Sequence, residues 1–111
     1  MPKFLLLLKH GQFEGYSPEQ MQGILEKYMN WTQKLRNEGR YIAAEEISRE
    51  GRVLKKNGSS VVDGPFTETK EAVGGFYLIE AKNYDEAVKI ACDCPHLEFH
   101  GEVSVHETIP H

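Results

Sequence analysis

The chain has little that could crosslink it or hold it in a bilayer. Two of its 111 residues are cysteine, Cys92 and Cys94. One residue apart, they are too close for an easy intrachain bridge, and the pair suits a reducing compartment. No apolar run approaches the ~18 residues that span a membrane. The opening Met-Pro-Lys-Phe-Leu-Leu-Leu-Leu-Lys-His imitates a secretion signal. Its apolar core, residues 4–8, falls short of the roughly 7–15 residues of real signals, and no small-residue cleavage site follows. It reads as a strand, and the protein as cytoplasmic. A basic surface is also missing: 13 Lys and Arg stand against 17 Asp and Glu, a net charge of −4, so direct nucleic-acid binding is not expected. Phosphate loops, nucleophile elbows and dinucleotide fingerprints are absent, because Gly74-Gly75 is isolated and precedes a strand. No cofactor is expected. Cys92, Cys94, His96 and His100 resemble a ligand set, but zinc sites usually have two to four residues between paired cysteines, and no metal site is expected here.

The remaining sequence fits one domain, residues 1–111, with one modest core. Residues 3–9 form a short apolar run expected to be a strand buried on both faces. Ser17-Pro18-Glu19-Gln20 opens a helix with a capping box and a proline at its first position. Met21, Ile24, Leu25, Tyr28, Thr32 and Leu35 form its apolar stripe, with Trp31 on the edge. Gly39 ends it. Residues 41–47 read as a strand. Residues 51–55 and 60–63 flank Asn57-Gly58, a strong hairpin signal. Residues 75–82 read as a strand with Phe76, Leu78 and Glu80 on one face and Tyr77, Ile79 and Ala81 on the other. Asn83 to Glu86 reads as a second capping box, opening a helix that Pro95 stops. Residues 101–109 close the chain as an alternating strand.

This order predicts an α+β fold of the ferredoxin-like, split βαβ kind with an inserted β-hairpin, its helices on one face of an antiparallel sheet. The other face also carries apolar residues. A second copy packed sheet against sheet would cover it, giving a homodimer; the alternative is a monomer whose hairpin folds over that face.

The densest chemistry lies in Asp63-Gly64-Pro65-Phe66-Thr67-Glu68-Thr69-Lys70-Glu71. Gly64 and Pro65 force a sharp turn after Asp63. Asp63 can serve that turn by bonding the backbone, or face a pocket as an acid–base group. Residues 67–71 can be a solvated turn, or Lys70 can hold an anion while Glu68 or Glu71 moves a proton. His10 follows the first strand and can point into the same cleft or into water. Glu45 shares a strand face with Ala43; if that face is inward, a carboxylate there has a purpose. His106 is expected on a sheet face or at a dimer contact.

Asp-Gly-Pro-Phe-Thr-Glu-Thr-Lys-Glu, followed by Gly-Gly-Phe-Tyr-Leu-Ile and, later, Cys-Pro-His-Leu-Glu-Phe, resembles the YCII-related family in its DGPF branch. These are small, mostly bacterial proteins, and the likeness runs over nearly the whole chain. The resemblance implies a dimeric α+β barrel and an enzymatic site at the Asp-Gly-Pro-Phe loop. Some relatives in the wider family act on small cyclic compounds through a His–Asp pair, and some branch members are associated with transcription. Carried to this chain, the matching motif implies catalytic roles for Asp63, Glu68 and Lys70, and His10 joins them by its location after the first strand and not by a motif match. The resemblance implies binding roles for Pro65, Phe66, Glu71 and His96 toward an unidentified small molecule, and Glu45 is added from its strand face alone. His106 stands where an arginine often follows the valine, which removes a fixed cation.

Overall fold

A computed structural model describes residues 1–48, 51–63 and 73–111, with Val62 and Asp63 described by their backbone alone. The chain runs β1 (Lys3–Lys9), α1 (Pro18–Asn37), β2 (Tyr41–Glu46), β3 (Leu54–Asn57), β4 (Ser60–Asp63), β5 (Val73–Glu80), α2 (Tyr84–Ala91), a 3₁₀ turn (Pro95–Phe99) and β6 (Glu102–Glu107). Four strands form one antiparallel sheet in the order β2-β5-β1-β6. Strand β5 lies between β1 and β2, and β1 lies between β5 and β6. The units β1-α1-β2 and β5-α2-β6 are therefore each split by a strand of the other, which is the α+β connection expected from the element order.

Alternation along the strands sorts the two faces. Phe4, Leu6 and Leu8 are buried on β1, as are Tyr77 and Ile79 on β5. They meet Trp31 and Leu35 of α1 and Ala87 and Ala91 of α2 in one core cluster. Leu5 pairs with Leu78 and Leu7 with Phe76 on the opposite face, where all four are half-buried. That face is apolar in its middle and, among the described residues, carries no helix.

Helix α1 starts as the residues dictate. The Ser17 hydroxyl accepts from the Gln20 amide at 3.1 Å, and the Gln20 side chain accepts from the Ser17 amide at 2.8 Å. The buried stripe is Ile24, Trp31 and Leu35, with Tyr28 and Thr32 half-buried. Trp31 is therefore central rather than at the edge. Its ring meets Tyr77 edge-on at 4.7 Å between centroids. Leu25 is exposed, because it lies about 100° around the helix from Ile24. The helix ends at Glu38, followed by Gly39 at φ 71.

Further differences from the sequence pattern have local causes. The hairpin turns on Gly58-Ser59, with Asn57 paired to Ser60; Gly58, at φ 65, takes the first central position, where glycine is preferred. Asn83 caps α2 through the Glu86 amide at 2.9 Å. No reciprocal box forms there, because the Glu86 carboxylate instead accepts from the Lys82 amide at 3.1 Å and from Arg40 at 2.6 Å. The second helix ends at Ala91, and a 3₁₀ turn absorbs Pro95. Strands β3 and β4 form a separate two-stranded sheet.

Candidate functional site at one end of the sheet

Lys9, the last residue of β1, pairs on one side with Val73, the first residue of β5, and on the other with Glu102, the first of β6. The end of β2 reaches the same level: Glu46 pairs with Gly75, and the Ile47 amide donates to the Gly74 carbonyl at 2.8 Å. The chain therefore leaves the sheet after β2 and re-enters it with β5 at this same end. His10 follows Lys9 at once, in the left-handed backbone region at φ 60. Its Nε2 lies 4.0 Å from the Glu102 carboxylate, and both side chains reach solvent.

Behind this end lies a buried imidazole. His96, on the 3₁₀ turn, is 5% exposed. Its Nε2 is 2.8 Å from the Lys9 carbonyl oxygen, and its Nδ1 is 2.9 Å from the Tyr28 hydroxyl. A carbonyl only accepts, so Nε2 carries the proton. The neutral ring's Nδ1 then accepts from Tyr28. Burial lowers the His96 pKa, partly opposed by the bond to Lys9, and so favours this neutral form. Burial is also the main cause that raises the Tyr28 pKa, with Cys94, Tyr77 and Glu98 adding to it, which keeps the phenol a donor.

Two glycines make room for the ring. A Cβ on Gly11 would fall 2.6 Å from His96 Cε1, and one on Gly101 would fall 2.3 Å from Cδ2 and 2.4 Å from Nε2. Both follow left-handed histidines, His10 at φ 60 and His100 at φ 59. Phe13 packs beside the ring with centroids 6.3 Å apart, and Phe99 packs in turn on Phe13 at 5.6 Å. The Gln12 amide, donating to the Phe99 carbonyl at 2.9 Å, ties this loop to the 3₁₀ turn.

Of the residues singled out by sequence, His10 and His96 lie together at this end. Asp63 ends β4, its backbone paired with Leu54, while its side chain lies outside the described region. Pro65, Phe66, Glu68, Lys70 and Glu71 lie outside the described residues as well. Glu45 is exposed, and its partner is Phe76. It shares a face with Ala43, but that face is the uncovered side of the sheet and not the core. His106 is on the same uncovered face, exposed, with Nε2 2.9 Å from the Ser104 hydroxyl.

Sequence reasoning passed over Glu102 and placed Tyr28 with the core. The His-Gly dipeptides at 10–11 and 100–101 were the available signal, since both glycines border His96. Among the described residues no group of three or more His, Cys, Asp and Glu could hold a metal ion. Cys94 is buried in the core, and burial pushes its thiol up to about 11. Among the described residues no helix is long and apolar enough to cross a membrane.

Comparison with known proteins gives likenesses in sequence, in structure and at the level of a family. An uncharacterised protein of Rhizobium meliloti (strain 1021) is 58% identical over 33 residues, a stretch covering 30% of this chain and 27% of that protein's length. The 5-chloro-2-hydroxyhydroquinone dehydrochlorinase of Burkholderia phenoliruptrix AC1100, solved with 2,5-dihydroxybenzoquinone, superposes with a TM-score of 0.49. It is 18% identical, and the match covers 96% of this chain and 94% of that one; a likeness this distant does not speak for the chemistry. The YCII-related domain matches residues 3–110, and the chain therefore belongs to the YCII-related domain family.

Proposed function

We propose that this protein acts on a small polar or cyclic molecule by acid–base chemistry at the sheet end just described, with Asp63 as the proton-transferring carboxylate. The supporting observation is the register. The segment that starts at Asp63 returns to the sheet at Val73, opposite Lys9 and one residue from His10. In this reading His10, Glu68 and Lys70 assist the reaction, and Pro65, Phe66 and Glu71 shape the pocket. The Asp-Gly-Pro-Phe motif supports reading the chain as one of the DGPF branch of its family. The protein is a cytoplasmic homodimer in which two uncovered sheet faces pack together as a ferredoxin-like dimeric α+β barrel. The half-buried cross-strand pairs Leu5–Leu78 and Leu7–Phe76 support that packing.

The test uses Asp63→Asn. Small cyclic carbonyl and hydroxyl compounds are screened by thermal shift against the unmodified protein. Those that raise its melting temperature, as preferential binding to the folded state must, are followed by NMR for conversion. The proposal expects conversion by the unmodified protein and its loss in a folded Asp63→Asn variant. A ligand bound without conversion would instead favour a non-catalytic binding or regulatory module, and full turnover by Asp63→Asn would remove Asp63 from the chemistry. Sedimentation of the unmodified protein beside Leu78→Glu reads the dimer: the variant should sediment as a monomer.

A further inference from the structure

His96 does not itself face a ligand, since it is buried and both ring nitrogens are occupied within the chain. It does touch the backbone on either side of His10. The ring donates to the carbonyl of Lys9, the residue before His10, and its Cε1 edge faces Gly11, the residue after. The opposite edge, Cδ2 and Nε2, faces Gly101, the residue before Glu102. One imidazole therefore braces both backbone segments that carry the His10–Glu102 pair. Tyr28, donating to Nδ1, fixes the tautomer that leaves Nε2–H aimed at Lys9. His10 at φ 60 is in a conformation that persists only where the surroundings over-determine it, and such outliers gather at functional sites.

We infer that His96 is a positioning residue, which holds His10 and Glu102 beside each other so that the imidazole and the carboxylate can share a proton on a bound molecule. This rests on reading the sheet end as the site. Glu102 thereby joins the site as the carboxylate that faces His10, and His96 supports the site without touching ligand.

The test is a contact read without any ligand: the NMR cross-relaxation between the His10 ring protons and the Glu102 side chain in isotope-labelled full-length protein. A glutamine amide nitrogen occupies roughly the place of Nε2, and an asparagine amide nitrogen that of Nδ1. His96→Gln should therefore keep the donor to Lys9 and the His10–Glu102 contact, and His96→Asn should lose both. The contact between His106 and Ser104 serves as the control and should persist in both variants. If His96→Asn does not fold, Tyr28→Phe takes its place. It keeps the ring and removes the donor to Nδ1, and the His10–Glu102 signal should weaken. A merely structural role for His96 would lower the melting temperature of these variants and leave the contact unchanged well below it, and that result overturns the inference. Failure of the unmodified protein to convert any ligand would count against the acid–base reading and leave this contact, and the bracing role, in place.

Discussion

Gly101→Ala should be among the most damaging single-methyl additions to this chain. The new Cβ would lie 2.3 Å from His96 Cδ2, 2.4 Å from Nε2 and 2.7 Å from the His96 carbonyl oxygen. The ring has no free direction of escape. Its far edge faces Gly11 and Phe13, its Nδ1 is held by Tyr28 and its Nε2 by Lys9. Forcing a methyl into a packed site costs about 1–3 kcal/mol. Pulling Nε2–H from the Lys9 carbonyl leaves a buried polar group unpaired, at about 1–3 kcal/mol more. Alanine also restricts the unfolded chain, which offsets about 0.4–1 kcal/mol of this. The net loss is on the order of 3 kcal/mol, and for a domain of this size the melting temperature should fall by roughly 10 °C or more. Thermal unfolding followed by circular dichroism at neutral pH measures it. A Gly101→Ala variant melting within about 2 °C of the unmodified protein would refute the claim that the ring is held on both edges.

Gly23 is the counterexample. It lies within α1, and a Cβ there would meet nothing within 4 Å, so Gly23→Ala should stabilise the fold by up to about 1 kcal/mol in the same assay. Stability should also depend on pH through His96. Its pKa is lowered in the folded state, so the unfolded chain binds the proton more readily. Stability on this account is therefore complete above the ordinary histidine pKa of about 6.5 and declines as pH falls through it. His96→Gln should flatten the melting temperature between pH 7.5 and 5.5. Glu86 works in a lower window. Its pKa is lowered chiefly by the hydrogen bond from Arg40, so the stability it contributes is present above the ordinary carboxylate pKa and lost as pH falls through its folded value. Alkylation with iodoacetamide at pH 8 should label exposed Cys92 and leave Cys94 intact in the native protein, since Cys94 is buried with its thiol pushed up to about 11.

Much of the fold is legible along the chain because local chemistry and long-range packing agree. The Ser17 capping box, the 3.6-residue period of α1 and the alternation in β5 each demand one structure, and each is present, with the α1 stripe shifted from Leu25 towards Trp31 and β5 beginning two residues earlier than expected. Trp31 is misjudged because a helical stripe is wide, and its centre depends on where the sheet lies, which α1 alone does not specify. Glu45 shows the same difficulty in a strand. Its alternation with Ala43 is correct, but which face becomes the core depends on the helices. The site is less legible still. His10 and His96 are 86 positions apart, and Glu102 enters only through the pairing of Lys9 with both Val73 and Glu102. Nothing local marks His96 as buried. The turn chemistry of Asp63-Gly64-Pro65 predicts a corner in the sequence, and Gly64 and Pro65 lie outside the described residues; the start of β5 at Val73, paired with Lys9, is what connects that stretch to the site.

The most direct measurement of the central claim is whether Asp63 lies at the His10 end of the sheet. A nitroxide placed at Asp63→Cys, in a Cys92→Ser background, broadens the amide signals of nearby residues. The account predicts broadening at residues 8–12, 73–75 and 101–103, with residues 1–4 and 106–109 at the opposite end of the sheet left sharp. Sharp signals at His10, Val73 and Glu102 would contradict it.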